Sequence, residues 1–230
     1  MAATLNLEST HVNGSAKPKH SARRDPSGVL TRLLQNNAQW AADVARVEPG
    51  FFEQCAKGQA PKVLWIGCAD SRVPESVVMA CKPGEIFVTR NIANQVHLHD
   101  DSILSVLTYA IAELGVEHVV VAGHSHCGGV AACLAAAQEK PTEPGAPLQR
   151  WLAPLTDLAR SLDGPQPLEL VEANVRAQVE HVLQSDAVRN AWSADPAVRG
   201  NARLVGVHGW VFDIDKGKLR DLGVSAYEDA

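Results

Sequence analysis

Two kinds of apolar pattern alternate along the chain. Short unbroken runs, "KVLWIG", "EIFVTR" and "EHVVVAG", read as strands buried on both faces. Between and around them lie longer stretches with apolar residues at helical spacing. Ser27 stands before one that carries Leu30, Leu33, Leu34, Ala38 and Ala41. The first strand is expected over about 63–66. "PESVVMACK" predicts a short helix stopped by Pro83 and Gly84, and "EIFVTR" the second strand. A helix is expected from about Ser102 to Gly115, and "EHVVVAG" is the third strand. "GGVAACLAAAQEK" is a helix with small residues on most faces, followed by the Pro/Gly linker "EKPTEPGAP". Two more helices are expected over 148–162 and 168–192. The end of the chain predicts a strand, a second short strand, a turn at 215–217 and a last strand.

Strands separated by helices imply right-handed crossovers and a mainly parallel sheet. The predicted class is α/β: a mostly parallel sheet flanked by helices, with an antiparallel C-terminal strand and an N-terminal helical arm. Residues 1–26 are polar and without apolar period, so they predict a flexible tail. Residues 27–230 predict a single domain. In such sheets ligands bind beyond the carboxyl ends of the strands.

Composition narrows the function. A net charge of -5 gives no electrostatic case for nucleic acid or an anionic membrane. No apolar run approaches the ~18 residues that span a bilayer. Five cysteines, an odd number, do not make a disulfide framework in a chain of 230 residues. With "MAATLNLEST" lacking a signal-peptide pattern, the expected compartment is the cytoplasm, with mitochondria the less favoured alternative.

Two stretches at strand ends carry the chemistry: "GCADSRVP" after the first strand and "GHSHCGG" after the third. Catalytic zinc sites take three Cys, His or carboxylate ligands and leave one position open. Cys68 offers a sulfur. His124 and Cys127, three apart at the start of a helix, can turn toward one point, and the helix amino terminus favours the Cys127 thiolate. His126 is the rival ligand. Buried core cysteines, or a redox pair of Cys68 and Cys127, are the competing readings. Asp70 and Arg72 are spaced to pair. Beside a metal, Arg72 would keep Asp70 ionised and oriented, or Asp70 would itself bind the metal. Cys55, Cys81 and Cys133 read as bystander thiols.

The contexts "LWIGCADSRVP", "FVTRNIANQV", "GHSHCGG" and "GVHGWVFD" resemble the β-class carbonic anhydrases over most of the chain. The resemblance implies a zinc enzyme that interconverts carbon dioxide and bicarbonate by attack of zinc-bound hydroxide. It implies Cys68, His124 and Cys127 as zinc ligands, with Asp70 and Arg72 as the catalytic dyad. It also implies a substrate pocket of Gln59, Val73, Phe87, Tyr109 and Gly128, with Gln59 donated at a dimer interface. The implied assembly is a homodimer or a dimer of dimers, with the helix after Ser27 reaching over the partner.

One group within that class takes Asp70 as a conditional fourth ligand at low pH and has a separate regulatory anion site. This chain resembles it at Trp65, Gly67, Val73 and Arg90, but carries Phe212 where that group typically has Tyr. The expectation near neutral pH is therefore Asp70 paired with Arg72. Competing functions are a zinc-binding sensor without turnover, a hydrolase of a heavier analogue such as carbon disulfide, and a structural zinc protein.

Overall fold

The computed structural model describes residues 27–141, 143 and 145–228; the expected tail at 1–26 lies outside them. The described chain divides between Phe52 and Glu53 into two compact units. The first holds helix α1 (Val29–Val47). Its N-cap is Gly28, at φ 68°, rather than Ser27. The Ser27 hydroxyl still accepts from the Val29 N–H at 3.2 Å. No residue of α1 is buried, and Leu33, Leu34 and Val47 are exposed. Trp40 meets Phe52 edge-on at 5.6 Å. A short helix, α2 (Phe51–Cys55), spans the division.

The second unit begins with β1 (Val63–Cys68), α3 (Glu75–Val78) and β2 (Ile86–Asn91). A 3-10 turn at Ile92–Asn94 precedes α4 (Asp101–Thr108), whose N-cap Asp100 accepts from the Ser102 N–H at 3.0 Å. The helix widens into a π turn at Tyr109–Glu113 and ends at Gly115, φ 67°. Then come β3 (His118–His124), α5 (Gly128–Ala137), α6 (Pro147–Ser161) and α7 (Pro167–Gln184). The chain closes with α8 (Asp186–Ala191), α9 (Pro196–Arg199), β4 (Gly206–Asp213), β5 (Lys218–Asp221) and β6 (Ala226–Tyr227).

The sheet runs β2-β1-β3-β4-β5, with β6 also pairing β4. The first three pairings are parallel and those of β5 and β6 antiparallel, as the sequence predicts. Alternation along each strand sends Leu64, Ile66, Val119, Val121, Val207 and Val211 into the main core, where α7 supplies Leu170, Val171, Val175 and Val179. The opposite face buries Trp65, Val120 and Ala122 against Trp210 and Met79. Burial on both faces is why β1 and β3 are continuous apolar runs.

Two expectations are corrected. The helix predicted over 168–192 is two helices, because the chain breaks at Ser185. Its hydroxyl accepts from the Val188 N–H and starts α8. The two strands predicted before the 215–217 turn are one strand, β4, which begins at Gly206 and passes through Gly209 without interruption.

Helix α7 is docked by close packing and by a polar network. A Cβ on Gly123 would lie 2.7 Å from Val175 Cγ2 and 3.1 Å from Val171 Cγ1, so only glycine lets the helix sit at this depth. Asn174 Nδ2 donates to Ala93 O at 3.0 Å, and Val96 N donates to Gln178 Oε1 at 2.7 Å. Gln95 Nε2 donates to Asn174 Oδ1 at 2.8 Å. All four of the residues supplying these side chains or the Val96 amide are buried. Gly123→Ala is expected to destabilise the fold by about 1–3 kcal/mol through overpacking. Urea unfolding monitored by tryptophan fluorescence measures this, and an unchanged midpoint would contradict the packing account.

Candidate active site

Parallel pairing of β1 with β3 aligns Gly67 with Ala122. Cys68, one residue on and closing β1, and His124, two residues on and closing β3, reach the same end of the sheet. After β3, His126 adopts φ 57°, a left-handed conformation that turns the chain back and sets Cys127 at the N-cap of α5. Ligand atoms of Cys68, His124 and Cys127 come within 4.8 Å of one another, and all three residues are buried. His124 Nδ1 lies 2.8 Å from Ser125 O, so it carries the proton and donates. That leaves the Nε2 lone pair in the cluster, buried and with no hydrogen-bond partner among the described residues. Two sulfurs and an imidazole nitrogen freed by a bond on its other nitrogen form a donor set suited to zinc.

Charge is unevenly placed in this cluster. The Cys68 thiol is pushed well down, chiefly by a hydrogen bond from Cys127 and against the effect of burial. Cys127 is pushed up, first by that same bond to Cys68 and then by burial. The backbone N–H groups of Val130 and Gly129, in the first turn of α5, favour its thiolate but are outweighed. The two thiols are therefore coupled: ionising one makes the proton of the other harder to remove.

The Asp70 carboxylate faces Arg72. Arg72 Nε donates to Oδ1 at 2.9 Å and Nη2 to Oδ2 at 2.7 Å, a bidentate pair. The Arg72 backbone N–H adds a bond to Oδ1 at 2.9 Å. These bonds, led by the Arg72 side chain, hold the Asp70 carboxyl well below the usual carboxylate range. Asp70 Oδ2 also lies 3.9 Å from His124 Nε2, at the edge of the cluster.

The other predicted residues fall into three groups. Val73 is buried in the main core, and Phe87 meets Tyr109 with ring centroids 5.9 Å apart. Gln59 and Gly128 are exposed. Trp65 lies over Gly67, where a Cβ would be 2.3 Å from the indole Nε1, and meets Trp210 at 6.3 Å. Arg90 donates through Nε to Cys68 O at 2.7 Å and through Nη2 to Asp70 O, so it braces the backbone of the motif. Its Nε is 3.9 Å from Glu75 Oε2. His126, the rival ligand, points elsewhere: its Nε2 is 2.7 Å from Asp215 Oδ2.

Sequence reasoning missed the bracing by Arg90 and the ties from Ser125 to the end of β4. Ser125 N donates to Phe212 O at 2.9 Å, and Ser125 Oγ accepts from Ile214 N at 2.9 Å. These bonds join residues far apart in the chain, and no local spacing announces them.

The family model described as carbonic anhydrase matches residues 63–219. A carbonic anhydrase of Emericella nidulans is 38% identical over 202 residues, covering 84% of this chain and 83% of that protein. A tetrameric β-carbonic anhydrase of Sordaria macrospora superposes with a TM-score of 0.74 at 36% identity, over 86% of this chain and 99% of its own. A Coccomyxa β-carbonic anhydrase, solved with acetazolamide, gives 0.75 at 33% identity, over 86% and 88%. The strand order, the buried Cys–His–Cys cluster and these matches make the chain a member of the β-carbonic anhydrase family. It is accordingly an enzyme, a carbonic anhydrase.

In metal-stripped protein, one thiolate per chain is expected to persist well below the ordinary cysteine range. Because Cys68 is depressed, the signal is present above its lowered pKa and is lost only as the pH falls through it. Absorbance at 240 nm across a pH titration reads it. Cys68→Ser should remove the signal, and Cys127→Ala should move it to higher pH by removing the hydrogen bond. Two thiols titrating together near the ordinary range would contradict the coupling.

Proposed function

We propose that residues 27–230 form one catalytic domain that binds a zinc ion through Cys68, His124 and Cys127 and hydrates carbon dioxide to bicarbonate and a proton. Reversible hydration of carbon dioxide is the reaction of the family. The observation that carries the zinc assignment is His124: a buried imidazole whose Nδ1 is engaged and whose Nε2 faces two cysteine sulfurs. When bound there, zinc supplies the acidity that brings hydroxide within reach near neutral pH, at a water pKa of about 7.

The remaining steps belong to the chain's own groups. Arg72 fixes the Asp70 carboxylate in one orientation, with Oδ2 at the edge of the cluster. Asp70 Oδ2 accepts a hydrogen bond from the attacking oxygen and orients its lone pair toward the carbon. Val73, Phe87 and Tyr109 give carbon dioxide an apolar seat and exclude water. Gln59 and the backbone at Gly128 supply donors for the developing bicarbonate.

Asp70 stays ionised through the mildly acid range, because Arg72 holds its pKa down. Acid therefore does not neutralise this carboxylate; it leaves it available to exchange Arg72 for the metal as a conditional fourth ligand. The pairing with Arg72 supports the open arrangement at neutral pH. At the anion site of Trp65, Gly67 and Arg90, two guanidinium nitrogens already serve backbone carbonyls. Phe212 brings no hydroxyl to it. Regulation by bicarbonate at that site is expected to be weak.

The assembly is a homodimer or a dimer of dimers. Strand β2 lies at a sheet edge and is half-buried along its whole length. Val77, Ile92, Leu98 and Tyr109 are exposed apolar residues of the same unit. Helix α1, with its exposed apolar face, is the arm that reaches over the partner. Among the described residues no helix is long and apolar enough to cross a membrane, and the five cysteines are free. Both fit the cytoplasm as the working compartment.

Stopped-flow hydration with a pH indicator, on protein of measured zinc content, tests the activity. Cys68→Ala and His124→Ala should lose both zinc and turnover, and full zinc content in both would refute the ligand assignment. Asp70→Asn and Arg72→Ala should keep zinc and lower turnover roughly 100-fold or more. Deleting residues 1–40 should abolish the dimer in sedimentation, while deleting residues 1–20 should not. An active monomer of the full chain would overturn the assembly.

A further inference from the structure

The turn after β4 reaches back to the catalytic dyad through a chain of hydrogen bonds. Asp213 Oδ1 accepts from the N–H groups of Asp215 and Lys216, at 3.0 and 3.3 Å, and fixes the turn. Its other oxygen accepts from Lys216 Nζ at 2.6 Å. The turn so formed presents Asp215 Oδ2 to His126 Nε2 at 2.7 Å. Ser125, the residue before, is tied to the same segment by its bonds to Phe212 O and Ile214 N.

His126 meets Arg72 through its backbone. Its carbonyl oxygen accepts from Arg72 Nη2 at 3.0 Å, the same nitrogen that donates to Asp70 Oδ2. The carbonyl points there because His126 sits at φ 57°, a conformation that a residue with a Cβ adopts only when its surroundings hold it. Arg72 is half exposed and its side chain is long. The bond to His126 O gives the guanidinium an acceptor besides the Asp70 carboxylate, which further restrains the bidentate pair at this exposed position. The His126–Asp215 pair is itself well exposed, at 59% and 69%, so it adds little to stability. Orientation is the role left to it.

We propose that Asp215 and His126 are positioning residues for the Arg72–Asp70 pair: the Asp215 carboxylate holds the His126 ring, and the His126 carbonyl fixes the plane of the Arg72 guanidinium. The inference rests on Asp70 and Arg72 being the catalytic dyad. Neither side chain belongs to the Cys68–His124–Cys127 cluster, and the His126 ring is engaged by Asp215 instead.

The test uses full-length zinc-loaded protein with two readouts. The first is kcat/KM for hydration, and the second is the Arg72 Nε–H signal in nitrogen-15 NMR, with its hydrogen-exchange rate. Asp215→Ala and His126→Ala should each lower kcat/KM about tenfold, the low end for outer-shell partners. Zinc content should not change, and the double variant should be no worse than either single one. In both single variants the Arg72 Nε–H should exchange faster and shift toward a free arginine. Asp215→Asn, whose amide oxygen still accepts from His126 Nε2, should restore both readouts. An unchanged Arg72 signal in Asp215→Ala overturns the proposal, as does Asp215→Asn behaving like Asp215→Ala in both readouts. Arg72→Ala is the control for the dyad itself. If it keeps full activity, the catalytic reading of Arg72 fails, while the NMR readout still decides whether Asp215 positions the guanidinium.

Discussion

The constraint on which this molecule depends is the parallel register between β1 and β3, Val63 opposite His118 through to Gly67 opposite Ala122. A parallel pair cannot be closed by a tight turn, so it ends both strands on the same side of the sheet. Two loops that are remote in sequence are thereby delivered to one edge. One brings Cys68, Asp70 and Arg72, and the other brings His124 and Cys127. A slip of one residue would turn Cys68 to the opposite face of the sheet and dismantle the cluster. The bracing by Arg90, from β2 to the carbonyls of Cys68 and Asp70, holds the same edge from its other side.

The strands and their order of chemistry were legible because burial on both faces writes itself as unbroken apolar runs. Each run ends in a residue that a core strand has no need of. That placement pointed to Cys68, His124 and Cys127 as metal ligands, with His126 left as a rival. It did not point to Gln59, Phe87 and Tyr109; nothing in their surroundings distinguishes them from ordinary surface or core positions, and only likeness to a family named them. The break at Ser185 was hidden because apolar spacing continues across it from Val182 to Val188, and a single hydroxyl makes the new cap. The two predicted strands before the final turn merged because glycine there marks close approach, by Val224 and Val175 at Gly209, rather than a turn.

The supports of the site were least legible of all. Arg90, Ser125 and Asp215 act through bonds to backbone or to side chains many residues away. Their residue types are common on any surface. The turn at 215–217 was recognisable as a turn from its Asp and Gly, yet what it holds is visible only once β4 lies beside β3. Chemistry that needs a particular atom leaves a mark in sequence. Orientation, which many residues can provide, leaves little.

The buried amides around α7 have a role that is not chiefly energetic. Asn174 and Gln178 stand one helical turn apart and meet three partners on the segment after β2: Ala93 O, the Gln95 side chain and Val96 N. Leucine and valine at the neighbouring contacts would accept the helix at several depths, since apolar packing is tolerant of sliding. Displaced by a turn, however, the helix would strand these amides in a dry interior, at a cost of about 1–3 kcal/mol for each unsatisfied group. The network thus works as an address: it discriminates among near-equivalent compact states and selects one during folding. Because the segment it addresses runs directly on from β2, whose Arg90 braces the motif, the helix that closes the core is also the one that certifies the site's backbone has been correctly assembled.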